Sequence, residues 1–238
     1  MYKKLISLVL LTFLYKDVIL ILENVLPRTK GEIAMDMYIA DTHFGHSGIL
    51  TECRQQFSTV DEMDATIIDN INRKMKRNDT LYILGDFMFR TKRSPIEYLE
   101  AIKPKKILII GNHDRDWMRH LTDDEIKEYF VGVYQQHFVK KHGIELHFNH
   151  FPQLAWNRSH FFAQSFSICG HIHNARDTSI AAQLFPDVKC QFNAGVDINN
   201  FEPVTFEELV YNNTLFYERS YTDTESALLH SSITKLML

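Results

Sequence analysis

Five short segments of this 238-residue sequence end in residue types that bind metal ions. They read YIAD, LYILGD, ILIIGN, ELHFNH and FSICGH, and each resembles a β-strand followed by a polar side chain. Carboxylate, amide and imidazole groups are ligands of divalent metals, and imidazole favours the transition metals. The polar residues in chain order are Asp41 with His43, Asp86, Asn112, His150, and His171 with His173.

The carboxyl ends of strands that are joined by helical crossovers meet at one edge of a sheet, where ligands bind. We therefore expect the five segments to bring their polar side chains to a common site. Three of these segments carry a glycine directly before the polar residue, namely Gly85, Gly111 and Gly170. Glycine permits positive φ angles and lets the backbone approach a bound ion closely.

Short apolar runs alternate with helical patterns, which indicates an α/β (α+β layered) fold class. One helix is predicted over residues 60–75, because Met63, Ile67, Ile71 and Met75 recur at helical spacing. Capping signals at Ser94, Thr122 and Thr205 predict three more helix starts. The predicted strands are residues 37–40, 80–84, 106–110, 167–169 and 188–193, with a hairpin formed by 134–139 and 144–149.

The ordered set of D-x-H, GD, GNHD, a later histidine and GHxH resembles the calcineurin-like metallophosphoesterase superfamily. The resemblance covers roughly residues 37–209 and is closest to small, compact bacterial and phage members. Those carry DTHFGH near the start and an NxGVD stretch near the end, here Asn193 to Asp197. The resemblance implies a four-layer β-sandwich flanked by helices, with the metal site at the strand carboxyl ends.

The resemblance also implies a two-metal centre in which Asp86 is shared. One ion would be held by Asp41, His43, Asp86 and His173, and the other by Asp86, Asn112, His150 and His171. His113 matches the catalytic histidine of the family. His46 is either a substrate contact or a structural residue, and Arg115 is a candidate phosphate contact, with a solvated surface position favoured. Asp114 either orients His113 or caps the following helix.

The expected cofactors are two divalent transition-metal ions, Mn, Fe, Zn or Ni, with Mn favoured. Two dications, two carboxylates and a hydroxide leave about one positive charge, which attracts a phosphate anion. The predicted function is hydrolysis of a small phosphodiester or phosphomonoester, such as a nucleotide, by in-line attack of a metal-bound hydroxide. His113 would protonate the leaving oxygen.

Other features limit the substrate and the compartment. The formal net charge of −4 gives no electrostatic footprint for a nucleic acid polymer. We also expect none of the capping domain of the related DNA-repair nucleases, which disfavours DNA-end processing. The GDF stretch lacks the GDxVDRG pattern of protein phosphatases, which disfavours a phosphoprotein substrate. Three widely spaced cysteines indicate reduced thiols and a cytoplasmic protein. The oligomeric state is left open.

The two ends of the chain have no clear place in this scheme. Residues 1–34 are either an anchoring helix or a translated leader before a start at Met35 or Met37, since codons for Lys30 to Glu32 can contain a ribosome-binding sequence. We assign residues 35–220 to the domain and leave 221–238 unassigned. Two alternative functions remain: a membrane-associated lipid-linked pyrophosphohydrolase that uses the anchor, and a non-catalytic metal-binding scaffold.

Overall fold

The computed structural model describes residues 34–175 and 189–238. Within it, Met35–Leu238 forms one compact unit. The predicted leader or anchor lies almost entirely outside the described residues, as does the first residue of the strand predicted at 188–193. No helix among the described residues has the length and apolar character needed to cross a bilayer.

The first sheet contains four parallel strands that lie side by side in chain order. They are β1 (Asp36–Ile39), β2 (Thr80–Ile83), β3 (Lys105–Ile109) and β4 (Phe130–Tyr134). Because side chains alternate along a strand, Ile39 and Tyr38 face opposite sides of this sheet. Both are buried, so the sheet is covered on its two faces.

Helices cover one face of the first sheet. They are α1 (Ile49–Glu52), α2 (Val60–Lys74), α3 (Pro95–Ala101), α4 (Asp114–Met118) and α5 (Asp123–Tyr129). Helix α2 buries Met63, Ile67 and Ile71 in the same apolar cluster as Ile39 and Leu81, as its spacing predicted. The predicted caps also form, since Ser94 and Thr122 accept hydrogen bonds from the first turns of α3 and α5.

The second sheet has the order β5 (Gln136–Lys141), β6 (Ile144–Asn149), β7 (Ser165–Cys169) and β8 (Gln191–Asn193). Strands β5 and β6 form an antiparallel hairpin, and the remaining pairs are parallel. The two turn residues, His142 and Gly143, have φ angles of 51° and 84°, which suit the tight turn of a two-residue hairpin loop. The predicted strand 134–139 is wrong at its start, because Tyr134 ends β4 in the first sheet.

The two sheets stack face to face and share an apolar core. The Phe148 ring lies 5.8 Å from the ring of Tyr38 and 4.8 Å from that of Tyr82, measured between centroids. Beyond β1, the N–H of Ala40 donates to the carbonyl of Ala194 at 2.9 Å, which ties the edges of the two sheets together. This confirms the predicted α/β class with two stacked sheets and flanking helices.

Two helices follow the second sheet, α6 (Phe206–Phe216) and α7 (Asp223–Met237). The segment left unassigned by sequence therefore forms a helix. Its Leu229 is buried in the core between the sheets, and its Ser232 Oγ donates to the carbonyl of Ala163 at 2.6 Å. Residues 223–237 thus pack onto the domain rather than extend from it.

Candidate metal centre

The five strand-like segments deliver their polar side chains to one edge of the sandwich. Asp41, Asp86 and Asn112 follow β1, β2 and β3, and His150 and His171 follow β6 and β7. Among the described residues, three groups of candidate ligand atoms each lie within 4.8 Å of one another, and two of them consist only of predicted ligands. The first group is Asp41, His43 and His173, and the second is Asp86, His150 and His171.

Asp86 lies between these two groups. Its Oδ2 is 3.6 Å from His43 Nε2 on one side and 3.5 Å from His150 Nε2 on the other. The amide oxygen of Asn112 lies 2.9 Å from the same His150 nitrogen. All seven side chains that the sequence nominated as ligands therefore meet at one place, with Asp86 in the middle.

Most of the candidate ligands have a strained backbone. The φ angles are 57° at Asp41, 48° at His43, 55° at Asp86, 72° at His171 and 48° at His173. Non-glycine residues rarely occupy the left-handed region, and such strain concentrates at functional sites. Hydrogen bonds hold these turns, because the N–H groups of His171 and His113 donate to the carboxylates of Asp41 and Asp86.

Gly85 and Gly170 must be glycine for different physical reasons. Gly85 has a φ of 85°, as the sequence argument expected. Gly170 does not have a positive φ and is needed for close packing instead. A Cβ atom there would stand 2.6 Å from Ala40 Cβ and 2.9 Å from Asp41 Oδ2.

The donor set fits divalent transition metals. His43 Nε2 and His173 Nε2 face each other at 3.2 Å. Two imidazole nitrogens bound to one ion at about 2.1 Å each would stand roughly 3.0–3.4 Å apart. Two histidines are also fixed through their second ring nitrogen. His150 Nδ1 lies 2.8 Å from the Leu84 carbonyl oxygen, and His173 Nδ1 lies 2.8 Å from Asp197 Oδ2. Such partners orient metal ligands.

The charges of the site are strongly coupled. Burial raises the pKa of Asp41 to about 6. Burial would also raise the pKa of Asp86, but the hydrogen bond with His150 and other nearby donors lower it to about 2. Burial and the charge of His173 lower the pKa of His43 to about 2. Against the effect of burial, Asp86 raises the pKa of His150 to about 9, and Asp197 raises that of His173 to about 10.

The candidate catalytic residue His113 lies beside this cluster. Its Nε2 is 3.9 Å from Asp86 Oδ2, and 31% of its side chain is exposed to solvent. Its ring packs on Phe89 with 3.7 Å between centroids. His46 packs on the same Phe89 ring at 4.8 Å and therefore lies at the rim of the site. Sequence reasoning did not single out Phe89.

Asp114 is buried in the first turn of α4, directly after the N-cap residue His113. Its hydrogen bonds go neither to the backbone N–H groups of that helix nor to the His113 ring. Instead it accepts four hydrogen bonds of 2.7–2.9 Å. The donors are the N–H groups of Asp86, Phe87 and Gly111 and the indole of Trp117. Asp114 thereby joins the two loops that carry Asp86 and Asn112.

Arg115, the third auxiliary candidate, is exposed. Among the described residues it has no side-chain hydrogen bond or ion pair. Its guanidinium is therefore not fixed by the protein.

Two further residues of the site were missed. Arg54 is fully buried, and its guanidinium donates to both oxygens of Asp197 at 2.8 and 3.0 Å. It also donates to the backbone carbonyls of Asp41 and Thr42. The GVD stretch marked Asp197 without giving it a role, and no local signal marks Arg54. Together they fix the loop after β1 and the ring of His173.

Comparison with known proteins gives consistent results. A model of the calcineurin-like phosphoesterase family matches residues 37–234. An uncharacterized protein of Methanocaldococcus jannaschii is 28% identical over 174 residues, which span 72% of this chain and 87% of that protein. The gene 66 protein of Mycobacterium phage L5 is 34% identical over 80 residues, or 32% of this chain and 38% of that protein.

Among solved structures, a protein of unknown function from Aquifex aeolicus superposes with a TM-score of 0.56. It is 28% identical in sequence, and the match covers 74% of this chain and 97% of that one.

Proposed function

This chain belongs to the calcineurin-like phosphoesterase family and is a metal-dependent phosphoester hydrolase, and from that premise we propose that it hydrolyses a small phosphodiester or phosphomonoester, such as a nucleotide, at a centre of two divalent ions. The observation that supports this most is the position of Asp86 between two groups of ligand atoms. A shared carboxylate is typical of paired metal ions.

In this proposal each ion has its own ligands besides Asp86. Asp41, His43 and His173 hold one ion, and Asn112, His150 and His171 hold the other. Two dications outweigh the two carboxylates, so the centre attracts a phosphate anion. The imidazole-rich set suits Mn, Fe, Zn or Ni better than Mg, and Mn is our working choice.

When bound, the two ions would polarise the phosphoryl oxygens and lower the pKa of a water molecule that attacks phosphorus. The protein supplies the remaining groups. Asp41, Asp86 and the histidines fix the geometry through the strained turns that hold them. His113 donates a proton to the leaving oxygen as the bond from phosphorus to that oxygen breaks. Stacking on Phe89 holds the His113 ring beside Asp86.

No observation among the described residues favours either of the two alternative functions. The anchor on which the lipid-linked pyrophosphohydrolase depended falls on residues 1–33, outside the described part of the chain. A non-catalytic metal-binding scaffold would use the same seven ligands, and the turnover test below distinguishes it from the phosphoesterase. We propose a cytoplasmic location, which the free thiols of Cys53, Cys169 and Cys190 support.

The direct test is hydrolysis of bis-p-nitrophenyl phosphate and p-nitrophenyl phosphate with Mn²⁺, Fe²⁺, Zn²⁺ or Ni²⁺. We expect turnover that EDTA removes and that Asp86→Asn abolishes. Asp69→Asn is the matched control, because Asp69 is exposed on α2 and distant in sequence from every ligand loop. Absence of turnover with all four metals, or full activity of Asp86→Asn, would overturn the proposal.

A further inference from the structure

A cavity of about 240 Å³ lies between the loop that follows Asp86 and helix α4. Its wall includes Phe89, the ring that packs on His113. Sites that enclose a whole small-molecule ligand usually measure roughly 300–1,000 Å³. The cavity is therefore of a size to receive one part of a substrate whose reacting phosphate lies at the metals.

The cavity is basic, although the chain as a whole carries a formal charge of −4. Arg90, Arg93 and Arg119 line it, against the single carboxylate of Asp116. Arg93 pairs with Asp61 and lies 4.0 Å from the buried Asp64, and Arg119 lies 3.8 Å from Asp116. The pairs with Asp61 and Asp116 are exposed to solvent, and such pairs are weak enough for an incoming anion to compete.

Arg90 is the arginine that is free to bind a ligand. It makes no ion pair with any described residue. Its guanidinium lies over the Phe89 ring, 4.8 Å from the centroid. This stacking uses the face of the guanidinium and leaves the N–H donors in its plane available. The φ angle of Arg90 is 48°, so the chain adopts a rarely populated conformation to present this side chain.

The order of side chains along this path indicates which part of the substrate reaches the cavity. The Phe89 ring contacts both the His113 ring, at 3.7 Å between centroids, and the Arg90 guanidinium, at 4.8 Å. In the proposed reaction His113 protonates the leaving oxygen, so the leaving group lies on the His113 side of phosphorus. A group attached to the leaving group therefore extends towards Arg90.

We propose that this cavity binds a second phosphate, carried by the leaving group, so that the preferred substrates are small phosphate esters with two phosphate groups. Guanidinium binds phosphate through paired, charge-assisted hydrogen bonds, which are stronger than neutral ones. The inference rests on the proposed function, since it uses His113 to fix the direction of the leaving group.

The test compares matched substrates with and without the second phosphate. Adenosine 3′,5′-bisphosphate is paired with adenosine 3′-phosphate, and fructose 1,6-bisphosphate with fructose 1-phosphate. We expect kcat/KM to be about 10- to 100-fold higher for each bisphosphate. Arg90→Gln should reduce this ratio about 10-fold or more, through KM of the bisphosphate. Lys92→Gln removes a neighbouring positive charge that does not line the cavity and should leave the ratio intact.

The outcomes separate this inference from the proposed function. If aryl phosphates are hydrolysed but the ratio is near one, or Arg90→Gln does not change it, the cavity proposal is wrong and the phosphoesterase stands. If no ester is hydrolysed, calorimetry that measures binding of the same nucleotides to the metal-loaded protein tests the cavity proposal instead. Equal affinity for adenosine 3′,5′-bisphosphate and adenosine 3′-phosphate would then overturn the cavity proposal.

Discussion

Asp197 Oδ2 lies 2.8 Å from His173 Nδ1, and the same carboxylate accepts two hydrogen bonds from the buried guanidinium of Arg54. His173 and Arg54 hold the pKa of Asp197 far below its usual range, against the effect of burial, so the carboxylate is ionised. It accepts a hydrogen bond from the Nδ1–H group of His173. This fixes the His173 ring with its Nε2 turned towards His43.

The first prediction concerns this pair. Asp197→Asn should weaken metal binding about 10- to 100-fold, because an amide orients the imidazole less strongly and no longer increases its basicity. Calorimetric titration of metal-free protein with Mn²⁺ measures the change. Asp69→Asn, an exposed change of the same kind on α2, should bind like the wild type. If Asp197→Asn bound Mn²⁺ as tightly as the wild type, Asp197 would have no positioning role.

The second prediction concerns Arg54. Arg54→Met leaves the Asp197 carboxylate buried without its cation, and loss of one partner of a buried ion pair costs about 3–5 kcal/mol of unfolding free energy. Urea unfolding of EDTA-treated protein measures this. Arg73→Met removes an arginine from an exposed pair with Glu202 and should cost less than about 1 kcal/mol. Similar losses in both variants would contradict the structural argument.

Adding Asp197→Asn to Arg54→Met should recover part of the lost stability, because the unpaired charge is then absent. A double variant that is simply as unstable as the sum of the two single changes would show that the pair is not coupled.

The third prediction separates proton donation from metal binding. His113→Ala should keep its metal content and lose at least about 100-fold in turnover of esters with alcohol leaving groups. The loss should be smaller for p-nitrophenyl phosphate, whose leaving group needs little protonation. Elemental analysis checks the metal, and steady-state kinetics with both substrates checks the contrast. Equal losses for both leaving groups would exclude the acid role.

The fourth prediction uses Lys106, which is buried in β3, the strand next to the edge strand β4. Burial lowers its pKa to about 8, whereas an unfolded lysine titrates near about 10.4. Between these values the unfolded chain holds the proton that the folded chain has lost. Stability should therefore rise with pH across this window, and below it the fold carries the full cost of the buried charge.

Lys106→Met should consequently raise the unfolding free energy at pH 7 by about 2–3 kcal/mol and remove the rise above pH 8. Lys105→Met, at the exposed neighbouring position, should do neither. Urea unfolding of EDTA-treated protein between pH 7 and pH 10 tests this. A Lys106→Met variant that is no more stable than wild type at pH 7 would refute it.

The positions of the candidate ligands could be predicted because they follow from strand geometry. A side chain such as Asp41 or Asp86 directly after a parallel strand must appear at the edge where neighbouring strands end. Helix starts were also predictable, because Ser94 and Thr122 cap their helices through residues only three positions away. In each case the signal lies within a few residues of the feature.

Other features depend on partners distant in sequence. Arg54 meets Asp197 across 143 positions, and neither neighbourhood marks the other. Phe89 acquires its role only through its contact with His113. Strand β4 was missed because the single residue Gln135 separates it from β5 of the other sheet. Such contacts are set by tertiary packing and leave no periodic pattern.

The central claim is that seven side chains hold two ions that share Asp86. A crystal structure of the Mn²⁺-loaded protein, with anomalous scattering data, tests it directly. We expect two peaks roughly 3.5–4 Å apart on either side of Asp86, with Asp41, His43 and His173 at one and Asn112, His150 and His171 at the other. A single peak, or peaks bound by other residues, would contradict it.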